Sequence, residues 1–256
     1  MPYSLKDRCV LVTGGSRGLG AVICQKFAEE GAHAMVNYVS NRESALQVVK
    51  KAQAHGVKAD LVAGDAGIPE DNIRIVKETV EKLGGLDIIV ANAGWARFSD
   101  FGNLDALSLE EWNKCWAVNT MAHLQLMQAA GPIFNSNPEG GVYLITSSIA
   151  GCTQSGSSMA YSVTKAAGIH LMKCLAATQG PKLQINAVLP GQLLTDWGLQ
   201  FTNDQIAQEK AEAVLKHETY LDDCADAYIS LAKNTSMTGQ QITVDAGLTI
   251  SWASRA

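Results

Sequence analysis

The 256-residue chain has no closely paired cysteines, no cluster of basic residues and few charged residues overall. Its six cysteines are scattered without a CxxC spacing, which predicts reduced thiols in a cytoplasmic protein rather than a disulfide framework. The five histidines form no HExxH pattern, so we expect no metal site. A net charge of -5 without a Lys/Arg cluster argues against nucleic acid as a partner.

Long apolar runs are also missing. A membrane span needs about 18 consecutive apolar residues, and the sequence contains no such stretch. The polar segment 1–8 lacks the features of a signal peptide. With 47% hydrophobic and 18% charged residues, the chain is expected to bury a large core and to form one domain over residues 1–256.

Short apolar runs alternate with longer amphipathic stretches along the whole chain. The predicted strands are residues 9–13, 34–38, 58–63, 86–91, 142–146, 185–189 and 241–244. The main predicted helices are residues 19–30, 43–54, 72–83, 109–130 and 160–177. This alternation predicts an α/β fold with a doubly wound (Rossmann) parallel sheet of about seven strands and helices on both faces.

The first strand runs into a glycine-rich turn, Thr-Gly-Gly-Ser-Arg-Gly-Leu-Gly at residues 13–20, just before a predicted helix. Glycines permit a tight turn and close approach of a ligand, and the amides at a helix N-terminus attract phosphate. The pattern therefore indicates a dinucleotide site, although its glycines depart from the usual GxGxxG spacing.

Other interpretations of this turn exist. A P-loop is excluded, because Ala21 and Val22 stand where Lys and Ser/Thr should follow the last glycine. The turn also matches GxSxG, with Ser16 as the nucleophile of an α/β-hydrolase. Only one strand precedes Ser16, whereas that elbow follows several strands. A glycine turn that binds no ligand is the remaining alternative.

A second group of residues points to proton transfer. Tyr161 and Lys165 are four residues apart in a predicted helix, so they share one face. An ammonium near a phenol lowers the phenol pKa, which makes an acid/base usable near neutral pH. Ser147 and Ser148 end a predicted strand, where α/β sheets place functional groups. By themselves, Tyr161 and Lys165 also fit a helix-surface pair, and Asn119 also fits surface polarity.

Taken together, these residues resemble the compact branch of the short-chain dehydrogenase/reductases over essentially the full chain. The matching motifs are the glycine turn at 13–20, Asp65-Ala66, residues 91–94, the set Asn119, Ser148, Tyr161 and Lys165, residues 186–191 with Thr195, and residues 244–247. The family's usual thirteen-residue gap to the tyrosine selects Ser148 over Ser147.

The resemblance implies hydride transfer between a nicotinamide cofactor and a ketone or secondary alcohol. Tyr161 would donate a proton to the carbonyl oxygen. Lys165 would bind the ribose hydroxyls and lower the pKa of Tyr161. Ser148 would hydrogen-bond the substrate oxygen, and Asn119 would hold a water that relays the proton.

The resemblance also implies a cofactor site. Asp65 would bind the adenine amino group, Asn92 would brace the centre of the sheet, and Thr195 would contact the nicotinamide carboxamide. The full set of expected cofactor-binding residues is Gly14, Ser16, Arg17, Gly18, Leu19, Gly20, Asn37, Tyr38, Ser40, Asp65, Ala66, Asn92, Ala93, Gly94, Tyr161, Lys165, Pro190, Gly191 and Thr195.

The end of the second strand bears on the choice of cofactor. An NAD site places an acidic residue there, and a carboxylate repels the 2′-phosphate of NADP. Here neutral Asn37 occupies about that position, and the guanidinium of Arg17 can clasp a phosphate, with Ser40 as a further donor. We expect NADP(H) in preference to NAD(H). The alternative is that Arg17 is only a solvated turn residue.

The remaining predictions concern substrate, assembly and competing functions. Trp95, Ser148, Gln192 and Trp197 are the candidate substrate contacts, with residues 192–217 as a lid, although core packing also suits both tryptophans. Residues 119–130 and 161–175 are apolar on more than one face, which favours a homotetramer or homodimer. Two alternatives to a reductase remain: a non-catalytic NADP(H) sensor, and a dehydratase or isomerase on the same scaffold.

Overall fold

The computed structural model describes residues 3–251. Its centre is a seven-stranded sheet of order β3-β2-β1-β4-β5-β6-β7, in which every neighbouring pair is parallel. The strands are β1 (Cys9–Val12), β2 (His33–Tyr38), β3 (Ala59–Ala63), β4 (Ile88–Ala91), β5 (Gly141–Thr146), β6 (Leu183–Pro190) and β7 (Gln241–Val244). The predicted doubly wound parallel sheet is confirmed.

Eight α-helices cover the sheet in the described part of the chain. They are α1 (Gly18–Glu29), α2 (Arg42–Gln53), α3 (Pro69–Leu83), α4 (Leu109–Trp116), α5 (Ala122–Ser136), α6 (Met159–Thr178), α7 (Asn203–Glu212) and α8 (Leu221–Lys233). Helix α3 begins earlier than predicted because Pro69, which lacks an amide hydrogen, is well suited to the first turn of a helix.

The predicted helix 109–130 differs most from the structure. A π-turn, Ala117–Met121, separates α4 from α5, and α5 runs through Pro132 to Ser136. The prediction stopped at a Gly-Pro pair, whereas the structure continues because Phe134 is fully buried in the core. Burial of an aromatic ring outweighs the hydrogen bond that proline removes.

Two hydrophobic layers lie on opposite faces of the sheet. Val10 and Val12 of β1 pack with Phe27 of α1 and Tyr228 of α8 on one face. Leu11, between them, packs with α3, α5 and α6 on the other face. Successive strand residues point to opposite faces, so both layers require apolar residues. This double burial explains why the strands are continuous apolar runs.

The order of the strands determines where a ligand-binding crevice lies in the fold. From β1 the chain moves outward through β2 and β3, then returns to build the other half from β4 onward. The carboxyl ends of β1 and β4 therefore meet at the topological switch point, where open α/β sheets bind ligands. The connection after β6 contains a short turn, Gly198–Gln200, and α7. Within residues 3–251, no helix is long and apolar enough to cross a membrane.

Candidate active site

The glycine turn forms a cradle at the start of α1. Gly14 and Gly18 have φ values of +61° and +53°, which other residues adopt only with strain. A Cβ on Gly20 would collide with the carbonyl oxygen of Gly14 and lie 2.6 Å from the Asn92 side chain. Among the described residues, no side chain caps the first amides of α1. The cradle therefore fits a phosphate group of a dinucleotide.

Asn37 supports this cradle from within the protein. Its side chain is 1% exposed, and its Oδ1 accepts a hydrogen bond from the amide of Gly14 at 3.1 Å. Its Nδ2 donates to the carbonyls of Gly64 and Val62 at 3.0 Å and 3.3 Å. These contacts turn the Asn37 side chain into the protein, and its role as a cofactor contact stays a prediction.

The adenosine-side candidates lie along the same edge of the sheet. Tyr38 ends β2 and is buried, whereas Ser40 just beyond it is exposed. Asp65 follows β3, and its Oδ1 accepts from the amide of Gly67 at 2.8 Å. Ala66 is buried beside Asp65. The strand ends thus bring these residues to one edge.

Within the glycine turn, side chains point in different directions. Leu19 is buried in the core, so only its backbone is turned toward the crevice. Ser16 is half-buried. The Arg17 guanidinium is exposed and lies 3.6 Å from the carboxylate of Asp196 in the 192–217 segment. Arg17 is therefore a solvent-facing cation at the mouth of the crevice, next to the candidate lid.

Asn92 ties three strand ends together. Its Nδ2 donates to the carbonyls of Thr13 and Gly14 at 3.0 Å and 3.3 Å, and its Oδ1 accepts from Thr146 Oγ1 at 3.3 Å. In return, Thr13 Oγ1 accepts from the amides of Asn92 and Ala93, each at 3.0 Å. This is the bracing geometry that the resemblance implied for Asn92.

Asn119 lies within the π-turn and is fully buried rather than on the surface. Its Nδ2 donates to the carbonyl of Trp95 at 2.8 Å and to Thr164 Oγ1 and Cys115 Sγ, both at 3.1 Å. Its Oδ1 accepts from the amide of Trp95 at 2.9 Å. Both amide hydrogens are engaged, which leaves one lone pair on Oδ1. The Asn119 side chain therefore holds Trp95, and with it the segment after β4, in place.

The two serines have different partners. Ser148 accepts a hydrogen bond from the amide of Ala150 at 3.1 Å, and its hydroxyl is close enough to the Tyr161 phenol to lower the pKa of that phenol. Ser147 is buried, and its Oγ donates to the carbonyl of Lys165 at 3.1 Å. The structure thus brings Ser148, not Ser147, to Tyr161.

Lys165 lies beneath Tyr161 on α6. It is 2% exposed, and its Nζ donates to the carbonyl of Thr146 at 2.8 Å and lies 5.5 Å from the centre of the Tyr161 ring. Burial lowers the pKa of Lys165 to about 8.

The pKa of Tyr161 differs from the expectation. Burial raises the pKa of Tyr161 to about 12, and the hydrogen bond from Ser148 offsets only part of that rise. The expectation that Lys165 lowers this pKa toward neutrality is therefore wrong for this structure. The ammonium lies beside the ring and donates to Thr146, and desolvation of the phenolate dominates.

Among the candidate substrate residues, Trp197 contacts Tyr161, whereas Trp95 and Gln192 lie in other surroundings. The Trp197 ring lies over the site, with its centre 5.5 Å from that of Tyr161. The Trp95 ring packs with Ala66 and Val118 and lies under the Lys114 ammonium, as the core-packing alternative has it. Gln192 lines a polar cavity beneath α7. Pro190 and Gly191 end β6, and Thr195 lies against Gly18.

Several residues of the site were not identified from the sequence. Cys115 and Thr164 hold the Asn119 amide, and Phe98 and Phe201 join Trp197 in a cluster of rings. Cys115 lies one helical turn before Asn119, so spacing alone could have found it. Phe98 and Phe201 carry no such signal, because their partners are distant in sequence.

Comparisons with known proteins agree with this geometry. A family model described as enoyl-(acyl carrier protein) reductase matches residues 14–249. Versicolorin reductase 1 of Aspergillus parasiticus is 35% identical over 206 residues, covering 80% of this chain and 76% of that protein. L-rhamnose 1-dehydrogenase (NADP(+)) of Thermoplasma acidophilum is 30% identical over 254 residues, covering 96% and 97%.

A solved structure extends the likeness to three dimensions. A short-chain dehydrogenase from Burkholderia cenocepacia in complex with NADP superposes with a TM-score of 0.88 at 31% identity, covering 96% of this chain and 100% of that one. Matches of this coverage, on a fold with this arrangement of Ser148, Tyr161 and Lys165, establish membership. The chain belongs to the short-chain dehydrogenase/reductase family and is an oxidoreductase.

Proposed function

We propose that the chain is an NADP(H)-dependent enzyme that interconverts a ketone and a secondary alcohol, with Tyr161 as the general acid/base. The observation that carries this proposal is the Tyr161 phenol, close to the Ser148 hydroxyl and above the buried ammonium of Lys165. These groups lie at the carboxyl edge of the sheet, as does the glycine cradle that fits a dinucleotide phosphate. When bound, the nicotinamide supplies the hydride.

The side chains then have distinct roles. Tyr161 donates its proton to the carbonyl oxygen as charge develops there, and Ser148 donates a hydrogen bond to the same oxygen. Lys165 holds the ribose hydroxyls, and its ammonium is anchored by the carbonyl of Thr146. Asn119 keeps the segment after β4 in place through both backbone groups of Trp95.

The cofactor preference is part of the proposal. The segment after β2 has no acidic residue before Glu43, and Arg17 offers an exposed guanidinium beside the cradle. In support, the Thermoplasma relative is named for NADP(+) and the Burkholderia structure holds NADP. An Arg17→Ala variant should weaken NADPH binding by about 1–3 kcal/mol and spare NADH. Equal affinity of the wild type for both cofactors, or an equal loss for both, would overturn this assignment.

The activity is tested by following NADPH absorbance across a panel of ketones and aldehydes. Tyr161→Phe should lose turnover by a few orders of magnitude while it keeps its fold and NADPH affinity, because only the proton donor is removed. Turnover within a few-fold of the wild type would refute Tyr161 as the acid. NADPH binding without turnover of any carbonyl would favour the sensor or the dehydratase/isomerase alternative instead.

The assembly and the lid belong to the same proposal. Trp116 on α4 and Val163 on α6 are 42% and 45% exposed, which supports self-association of this single-domain chain through those helices into a homotetramer or homodimer. Light scattering that gives the mass of one chain at micromolar concentration would contradict it. Residues 192–217 are the proposed lid, because Trp197 reaches over Tyr161 from that segment.

A further inference from the structure

Three aromatic side chains from two separate segments meet above Tyr161. The Trp197 ring centre is 5.5 Å from that of Tyr161 and 6.4 Å from that of Phe98. Phe98 contacts Phe201 edge-on, with ring centres 4.9 Å apart. We call Phe98, Trp197 and Phe201 the aromatic clamp. Phe98 belongs to the segment after β4, and the other two belong to the proposed lid.

The clamp borders the position where a substrate must react. A Cβ built on Gly94 would lie 3.9 Å from Trp197 Cη2 and 3.7 Å from Lys165 Nζ. The indole thus extends from Gly94, beside the Lys165 ammonium, to the Tyr161 ring. A carbonyl oxygen that hydrogen-bonds Tyr161 places the rest of its molecule against these rings.

Charged residues next to the clamp have their partners elsewhere. Arg97, which precedes Phe98, pairs with Glu111 of α4. Asp196, which precedes Trp197, is 3.6 Å from Arg17. The clamp is therefore an apolar wall, with no charged side chain among its three rings. Burying hydroxyls or a carboxylate against such a wall without hydrogen bonds is costly, whereas a flat ring stacks favourably on it.

We propose that the aromatic clamp selects uncharged ketones whose carbonyl is attached to or fused with a flat ring, and that it disfavours ketoses and oxo acids. This inference rests on the proposed function. In the reduction, the carbonyl carbon gains the hydride of NADPH and the oxygen gains the Tyr161 proton, so the products are a ring-bearing secondary alcohol and NADP⁺. The clamp takes no part in proton transfer and acts on binding alone.

The first test compares carbonyl compounds at saturating NADPH. The panel contains 2-tetralone, an open-chain 2-ketone of the same carbon count, fructose, and the small diketone 2,3-butanedione. We expect kcat/KM for 2-tetralone to exceed that for the open-chain ketone by about tenfold or more, since contact of a flat ring with the clamp adds a favourable aromatic interaction to the area buried. Fructose should give no measurable turnover. A kcat/KM for the open-chain ketone or for fructose comparable to that for 2-tetralone would overturn the inference.

The second test removes single rings of the clamp. Phe98→Leu and Trp197→Leu should each lower the ratio of kcat/KM for 2-tetralone to that for 2,3-butanedione by about tenfold, mainly through KM. Phe98→Tyr retains the ring and should retain the ratio. The matched control is Leu199→Ala in the same segment, because the Leu199 side chain is 61% exposed and outside the clamp; its ratio should be unchanged.

The results distinguish a failure of the proposed function from a failure of the clamp inference. If NADPH binds but neither 2,3-butanedione nor any other panel member is reduced, the proposed function fails. If 2,3-butanedione is reduced and the leucine variants keep the wild-type ratio, the proposed function stands and the clamp inference fails. Circular dichroism and NADPH affinity of each variant establish that the fold is retained.

Discussion

Tyr161 and Lys165 both titrate away from their ordinary ranges, for the same physical reason. Burial disfavours the charged form of each group, so the pKa of Tyr161 rises to about 12 and that of Lys165 falls to about 8. At neutral pH, Tyr161 is therefore a protonated phenol beside an ammonium. A protonated group is ready to donate, so the resting site is prepared for carbonyl reduction rather than for alcohol oxidation.

The two directions should respond differently to pH. Oxidation needs the Tyr161 phenolate, whose fraction rises about tenfold per pH unit below its pKa. Between about pH 5 and pH 7, where Lys165 keeps its proton, kcat/KM for a secondary alcohol should rise steeply while kcat/KM for the ketone stays level or falls. Steady-state rates in both directions, with NADP⁺ or NADPH saturating, check this. Parallel pH profiles would contradict the role of Tyr161.

At the level of single residues, the sequence revealed proximity better than environment. The four-residue spacing of Tyr161 and Lys165 was enough to bring them together on α6. It could not reveal the sign of the pKa shift, because that depends on burial contributed by the rest of the fold. The same holds for Asn37: its position along β2 was clear, but the inward direction of its side chain is a property of the packed sheet.

At the scale of strands and turns, the contribution of the contact between β2 and the glycine turn to stability can be tested by substitution. Asn37→Asp removes two donated hydrogen bonds and faces a buried carboxylate toward the carbonyls of Val62 and Gly64. We expect a loss of about 2–4 kcal/mol in the free energy of unfolding. Urea unfolding measures it.

The matched control places the same new carboxylate outside the core. Ser40→Asp lies at an exposed position just past β2, so its stability should stay within about 0.5 kcal/mol of the wild type. Its carboxylate should weaken NADPH binding by repelling the 2′-phosphate. Equal stability of the Asn37 and Ser40 variants would show that Asn37 does not brace the turn.

The 192–217 segment should change its dynamics on binding. Helix α7 has no fully buried side chain in the described chain, and few apolar contacts allow a segment to open at low free-energy cost. Amide exchange across residues 192–217 should slow when NADPH and a slowly reduced ketone bind, because closure then buries Trp197 against the ligand. Strand β5, which is buried throughout, should exchange slowly in both states. Equal exchange of the segment with and without ligands would argue against a lid.

The bounds of helices and strands could be predicted where local sequence pattern alone determines them. Strand β5 is buried on both faces and reads as an apolar run, so it was predicted within one residue of its bounds. Gln241–Val244 is exposed to half-buried and was predicted at its observed bounds, because polar and apolar residues alternate along it. The π-turn before α5 was not predictable, since its extra residue is stabilised by contacts of Asn119 with Trp95, 24 positions away. The local sequence carries no record of that tertiary contact.

At the scale of the whole molecule, the order of the strands in the sheet brings most of the site residues together. The strand order places β4 beside β1, which brings Asn92 to the glycine turn. The same topology delivers β5 and its Ser148 to the same edge. The aromatic clamp required more, because the path of the long connection after β6 decides where Trp197 and Phe201 come to lie. Chemistry at strand ends was therefore predictable, and substrate selection was not.

The stability of the whole fold should fall in mild acid because of His123. This side chain on α5 is 2% exposed; burial, together with the nearby Lys165 ammonium, lowers its pKa to about 3. The unfolded chain binds this proton near pH 6.5, so between about pH 6.5 and pH 3 it holds one more proton than the folded chain. Each unit of acidification in that window should therefore lower the free energy of unfolding by up to about 1.4 kcal/mol from this group.

Urea unfolding at several pH values between about pH 7 and pH 4 measures that slope, and His123→Gln provides the control. Glutamine keeps a similar volume and does not titrate, so the variant should lose less stability per pH unit than the wild type, whatever its stability at pH 7. Carboxylates with lowered pKa, such as Asp71 held by the amide of Asp65 and by Arg74, contribute equally to both proteins and cancel in the comparison. Identical slopes would mean that His123 can take up its proton within the folded core, and its burial would then not be the source of the acid sensitivity.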